Sequence, residues 1–196
     1  MNISAIILAA GQSKRMGRSK MTLPWENITV LGKVIETIKQ AGVGDILVVT
    51  GGERAQVETI VAEYKVRTVR NENFESEEMI ASIQLGLRVQ HAGSAAALIC
   101  LGDQPQVEDS SVRSICEAFQ KNNSLIVVPS YQNRRGHPWL IARELWKEVL
   151  GMRAPESMRD FLHKHNNDIL YVVQESSNIL QDLDTPEDYM KYKPQQ

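Results

Sequence analysis

The sequence predicts a single-domain α/β fold, Rossmann-like, in which a mostly parallel sheet carries helices on both faces. Three observations point there. Apolar runs of strand length alternate with segments of helical apolar spacing through the first 130 residues. The runs are continuous, as expected of strands buried on both faces. No linker, repeat or low-complexity tract interrupts the 196 residues, so 1–196 reads as one domain.

The elements follow in order. Ser4–Leu8 is the first buried strand, and a polar, glycine-containing loop runs on to Pro24. Val30, Leu31, Val34, Ile35 and Ile38 recur at helical spacing, and Gly42 and Gly44 end that helix. Ile46–Val49 is the second strand, Val57 to Tyr64 a helix and Val66–Val69 a third strand. Ile80, Ile83 and Leu87 mark a helix before the strand Ala95–Leu101. Val112, Ile115 and Phe119 mark another before Leu125–Val128. The rhythm then changes, and residues 130–140 read as a hairpin or small excursion. Helices are expected at Ala142–Leu150 and at Pro155–His165, the second opened by its proline. Ile169–Val173 is a late strand. Thr185-Pro186-Glu187-Asp188 opens a terminal helix with a capping box.

Composition narrows the function classes. A net charge of -2 and a pI near 6.1 give no electrostatic case for a nucleic-acid or anionic-membrane partner. The first apolar run breaks at Gly11, too short for a signal segment, and no later run reaches membrane-spanning length. The expected setting is cytoplasmic. Cys100 and Cys116 follow or sit in apolar stretches and read as core residues, not as a disulfide or zinc framework.

Open α/β sheets bind ligands beyond the carboxyl ends of their strands, where the loop Ala9–Lys20 lies. Gly11 and Gly17 let its backbone turn tightly and face amides toward phosphate oxygens. Lys14, Arg15, Arg18 and Lys20 concentrate positive charge in an otherwise acidic chain. The combination suits a triphosphate, although a solvated basic loop has the same composition. It is neither a Walker A loop nor a G-x-G-x-x-G fingerprint.

Asp103, in Gly102-Asp103-Gln104-Pro105, follows a strand and so stands at the same edge. Phosphoryl transfer requires a hard cation to offset charge on the leaving group, and one carboxylate with retained waters suits magnesium. An aspartate before Gln-Pro can equally stabilise a turn. Arg134 and Arg135 can grip a phosphate in bidentate fashion. His91, His163 and His165 have no ligand-like spacing and read as solvated.

Leu8-Ala9-Ala10-Gly11-x-Ser13-x-Arg15-Met16-Gly17-x-x-Lys20 resembles the signature of nucleotidyltransferases related to molybdenum cofactor cytidylyltransferase. Leu23-Pro24-Trp25, Gly102–Pro105, Arg135-Gly136-His137-Pro138 and Asp182–Asp188 extend the resemblance, in order, over nearly the whole chain. The resemblance implies a nucleotide site at Leu8, Ala9, Ala10, Gly11, Arg15, Lys20, Ser82 and Asp103. Arg15, Lys20 and Asp103 would serve catalysis, and Asp103 with Asp184 would hold Mg2+, Asp182 being a weaker candidate. Without the resemblance, Asp184 reads as part of a helix entry. Arg135 and His137 would bind the acceptor.

The implied reaction transfers CMP from CTP, or a nucleotidyl group from another NTP, to a molybdopterin-type acceptor, and the resemblance extends to a molybdoenzyme client. The family's guanylyltransferase branch tends to carry glycine where Ala10 stands, which favours cytidine here. Glu78 stands where the family has glycine in Gly-Met-x-x-Ser, and so departs from the pattern beside the base. A sugar- or polyol-phosphate acceptor keeps the same chemistry, and a non-catalytic pterin-delivery protein would keep binding without turnover.

Overall fold

The computed structural model describes residues 1–76 and 79–194, without the Ser76 side chain. In chain order its elements begin with β1 (Ile3–Ala9), the short pair β2 (Pro24–Trp25) and β3 (Ile28–Thr29), and α1 (Val30–Gln40). Next come β4 (Asp45–Thr50), α2 (Arg54–Tyr64), β5 (Arg67–Arg70) and α3 (Met79–Arg88). The chain continues with β6 (Ala96–Leu101), α4 (Asp109–Asn122), β7 (Ile126–Tyr131), β8 (Arg134–Arg135) and β9 (Trp139–Ala142). It ends with α5 (Trp146–Gly151), α6 (Met158–Lys164), β10 (Ile169–Val173) and α7 (Pro186–Tyr192).

The main sheet runs β10-β7-β9-β6-β1-β4-β5, with β8 hairpinned onto β7. β5, β4, β1 and β6 are mutually parallel, as are β7 and β10. β9 is antiparallel to both of its neighbours and joins the two parallel blocks. The stretch read as an excursion is therefore partly a central strand. Leu140 and Ile141 are fully buried there, each facing one side of the sheet.

Alternation along β1 divides the core. Ala5, Ile7 and Ala9 face the apolar stripes of α1, α2 and α4, whereas Ile6 faces α3 and α5 with α6. Both faces are thus covered by helices. Cys100 and Cys116 are buried, free thiols in the first of these layers. A smaller cluster of Met16, Leu23, Trp25, Val30, Leu183 and Tyr189 fastens the first loop to the C-terminal segment. Tyr189 adds a hydroxyl bond of 2.6 Å to the Pro24 carbonyl.

Local chemistry explains the helix starts. The Thr29 hydroxyl accepts from the Gly32 amide at α1, and Thr185 forms the expected capping box with Asp188 at α7. Two expectations are corrected. α6 begins at Met158, because Ser157 and Asp160 make a capping box downstream of Pro155. His165 is not solvated; its imidazole lies between Glu148 and Asp168, at 3.1 and 3.0 Å. Among the described residues no helix is long and apolar enough to cross a membrane.

Candidate active site

β1, β5 and β6 end at one edge of the sheet, and a cleft of about 520 Å³ opens there on the α3 side. Its wall includes Leu8, Ala10, Gly11, Arg15, Lys20, Ser82, Asp103 and Asp184, so the predicted nucleotide and metal residues largely converge. Ala9 is buried in the strand behind it.

Backbone geometry shapes the loop. Ser13 and Gly17 both take left-handed conformations, with φ of 48° and 65°, around a short turn of 3-10 helix from Lys14 to Met16. The Ser13 hydroxyl accepts from the Lys20 amide at 3.0 Å and donates to Glu53 at 3.2 Å, closing the loop upon itself and upon the residue that precedes α2. Gly51 follows β4 against the loop, where a Cβ would stand 2.3 Å from the Ala10 carbonyl oxygen. No sequence motif marked Gly51, because its requirement comes from another strand.

The charged groups meet through a main-chain bond. The Leu183 amide donates to the Asp103 carbonyl at 3.2 Å, which brings Asp182 and Asp184 beside the end of β6. Lys20 Nζ lies 2.7 Å from Asp184 Oδ1 and 3.2 Å from Asp103 Oδ2. Arg15 pairs with the other oxygen of Asp184 at 3.1 Å from an exposed position. Gln104 donates to Asp182 at 2.7 Å.

Burial pushes the Asp103 carboxyl above its usual range, and Lys20 only partly offsets this. Asp182 is also raised by burial, with the Asp103 charge adding to it. Asp184 is held below its usual range, chiefly by its hydrogen bond from Lys20. Lys20 itself is raised, because the two carboxylates outweigh its desolvation.

Asp103 and Asp184 already share one cation, the Lys20 ammonium, which shows that both can approach a single positive centre. Among the described residues no group of three or more His, Cys, Asp or Glu side chains is arranged to hold a metal. A divalent ion here would therefore take its remaining ligands from water and phosphate oxygens.

On its α3 side the cleft is lined by Phe74, Met79, Asn71 and Ser82. Asn71, which no sequence motif marked, donates from Nδ2 to Ser82 Oγ at 3.0 Å. Glu78 lies outside the described residues.

Arg135 and His137 do not line this cleft. The Arg135 guanidinium donates to the Tyr171 hydroxyl and to Asn166, at 2.8 and 2.6 Å, toward β10. His137 stacks on Trp139 with ring centroids 4.0 Å apart, and its Nδ1 is buried without a hydrogen-bond partner among the described residues. Burial lowers its pKa to about 4. Gly136 is required there, since a Cβ would stand 2.5 Å from the Ile179 carbonyl oxygen.

The chain is 27% identical over 193 residues to the molybdenum cofactor cytidylyltransferase of Escherichia coli (strain K12), covering 97% of this chain and 95% of that protein. A crystal structure of Rv0371c from Mycobacterium tuberculosis H37Rv superposes with a TM-score of 0.86 at 27% identity, over 97% of each chain. The Rv0371c complex with manganese superposes at 0.81 and 26% identity, again over 97% of each chain. The family profile described as the MobA-like NTP transferase domain matches residues 5–169. That match takes in well over half of the chain, which therefore belongs to the MobA-like NTP transferase family and is a nucleotidyltransferase.

Proposed function

We propose that this nucleotidyltransferase moves CMP from CTP to the terminal phosphate of molybdopterin or a related pterin cofactor, with magnesium, releasing pyrophosphate. The observation that carries the reading is the Lys20 ammonium joined to Asp103 and Asp184 beside a glycine loop. It supplies positive charge where a triphosphate would lie and two carboxylates able to hold a hard cation. The similarity to a cytidylyltransferase over nearly the full length of both chains supports the base and the acceptor.

In this reading the loop amides around Gly11, with Arg15 and Lys20, bind the triphosphate. An acceptor phosphate oxygen attacks the α-phosphorus in line. The new P–O bond forms as the bond to the bridging α–β oxygen breaks, and its electron pair leaves with pyrophosphate. Arg15 and Lys20 stabilise the charge developing on that leaving group. Magnesium held by Asp103 and Asp184 would offset further negative charge on the phosphates. No protein nucleophile is required. Ala10 lines the cleft and narrows the space beside the base, which favours a pyrimidine.

Arg135 lies on β8 and His137 in the connection from β8 to β9, and they are proposed to contact the acceptor there. At neutral pH His137 is uncharged, so its part is packing and hydrogen bonding. A pyrophosphate-release screen tests the reading by crossing CTP, GTP, ATP and UTP with molybdopterin and several sugar phosphates. The expected result is turnover with CTP and molybdopterin. A clear GTP preference overturns the base, turnover with sugar phosphates alone overturns the acceptor, and pterin binding without pyrophosphate release overturns catalysis.

A further inference from the structure

On the α3 side of the cleft a hydrogen-bond relay runs from Asn73 through Asn71 to Ser82 with a fixed direction. Asn71 follows β5 directly, and its amide donates to the Thr50 carbonyl at 2.9 Å, which anchors the residue. Its side-chain Oδ1 accepts from the Asn73 backbone amide at 3.0 Å. A main-chain N–H can only donate, so that bond fixes which end of the carboxamide is oxygen. The Nδ2 end therefore faces Ser82, 3.0 Å from its Oγ. An amide nitrogen cannot accept, so the Ser82 hydroxyl must accept from Asn71 and keep its own hydrogen for another partner. Among the described residues no acceptor takes that hydrogen. Both residues are nearly buried, at 6% and 5% exposure, yet both line the cleft.

We infer that Asn71 is a positioning residue that makes the Ser82 hydroxyl a hydrogen-bond donor toward the nucleotide base, and so favours cytosine over uracil. This rests on the reading of the cleft as a nucleotide site. Cytosine presents adjacent lone pairs at O2 and N3, whereas uracil presents a hydrogen at N3. A donor held against N3 in a nearly buried wall matches the first and opposes the second. Mismatched polar groups in such a site carry a large penalty.

The test is the ratio of CTP and UTP dissociation constants, measured by calorimetry with magnesium and without acceptor. In Asn71→Asp the carboxylate still accepts from Asn73 but now also accepts the Ser82 hydrogen, leaving hydroxyl lone pairs toward the cleft. The preference for CTP over UTP should fall by at least about tenfold. Any repulsion of the triphosphate by the new charge acts on both nucleotides and cancels in the ratio. Ser82→Ala should also lower the preference, and adding Asn71→Asp to it should change nothing more.

An unchanged ratio in Asn71→Asp overturns the inference, as does an equal change in the Ser82→Ala background. If thermal unfolding shows that Asn71→Asp does not fold, Asn71→Ala serves instead, since a released hydroxyl rotor lowers the ratio and an unchanged ratio is again fatal. Tighter binding of GTP than CTP by the unsubstituted protein would overturn the cytidine reading alone, because the Asn71 comparison uses only the two pyrimidines. Failure of the unsubstituted protein to bind any nucleotide removes both.

Discussion

Lys20 Nζ and Asp184 Oδ1 lie 2.7 Å apart although 164 positions separate them in the chain. The contact closes the site from both ends of the sequence. The Asp103 main chain holds the returning segment in place, and the small cluster around Trp25 and Leu183 packs beneath it. Lys20 is thus both a phosphate-binding candidate and the group that neutralises the carboxylates until a ligand arrives.

Asp103→Asn should separate activity from stability. Burial raises the Asp103 pKa, so its charged form is disfavoured in the folded protein. Removing that charge should leave the melting temperature of the magnesium-free protein unchanged or slightly higher, while pyrophosphate release falls by about 10²–10³-fold or more. Calorimetry and a coupled pyrophosphate assay check the pair, and unchanged turnover would defeat the assignment of Asp103.

Gly51→Ala should act on the nucleotide without touching a charged group. The added methyl meets the Ala10 carbonyl oxygen and Cα, at 2.3 and 2.8 Å, and both are backbone atoms that move only with the loop. The expected stability loss is about 1–3 kcal/mol, with KM for the nucleotide rising more than kcat falls. Denaturant melts and steady-state kinetics would reveal it.

His165 should make stability depend on pH. Desolvation lowers its pKa, but hydrogen bonds to Asp168 and Glu148 outweigh this and raise it above the usual histidine value. A raised folded-state pKa contributes stability that is complete below about pH 6.5 and is lost as pH rises through the folded value. The melting temperature of the unsubstituted protein should exceed that of His165→Gln by about 2–4 °C near pH 6. The gap should close toward pH 8–9; a gap that widens with pH would be the wrong sign.

His137 should contribute no ionisation to the pH–rate profile between pH 5.5 and 8, because burial lowers its pKa to about 4. His137→Gln should raise KM for the acceptor and leave KM for the nucleotide nearly unchanged. A lost inflection in the pH profile of that variant would instead assign it a proton-transfer role.

Much of the site was legible in the chain because its parts are local. A buried strand running into glycines and four basic residues puts a basic, glycine-containing loop at the edge of a sheet, and an apolar run ending in Gly-Asp puts a carboxylate at the same edge. Likewise, the Thr185–Asp188 capping box needs only its own four residues. Helical and strand periodicity sufficed for the alternation of layers, since each buried face is written at a fixed spacing.

The tertiary structure decided whatever depends on partners distant in sequence. β9 is a central antiparallel strand because it buries Leu140 and Ile141 between β6 and β7, a pairing that four apolar residues cannot announce. Gly51 is needed only because Ala10 approaches it from another strand. Asn71 matters through Ser82, and His165 through Glu148, a residue on another helix. Asp184 read locally as part of a helix entry until the Asp103 main chain drew it onto Lys20. Hydrogen bonds and ion pairs act over about 3 Å in space, whatever the separation along the chain, so the sequence determined the parts and folding determined which of them meet.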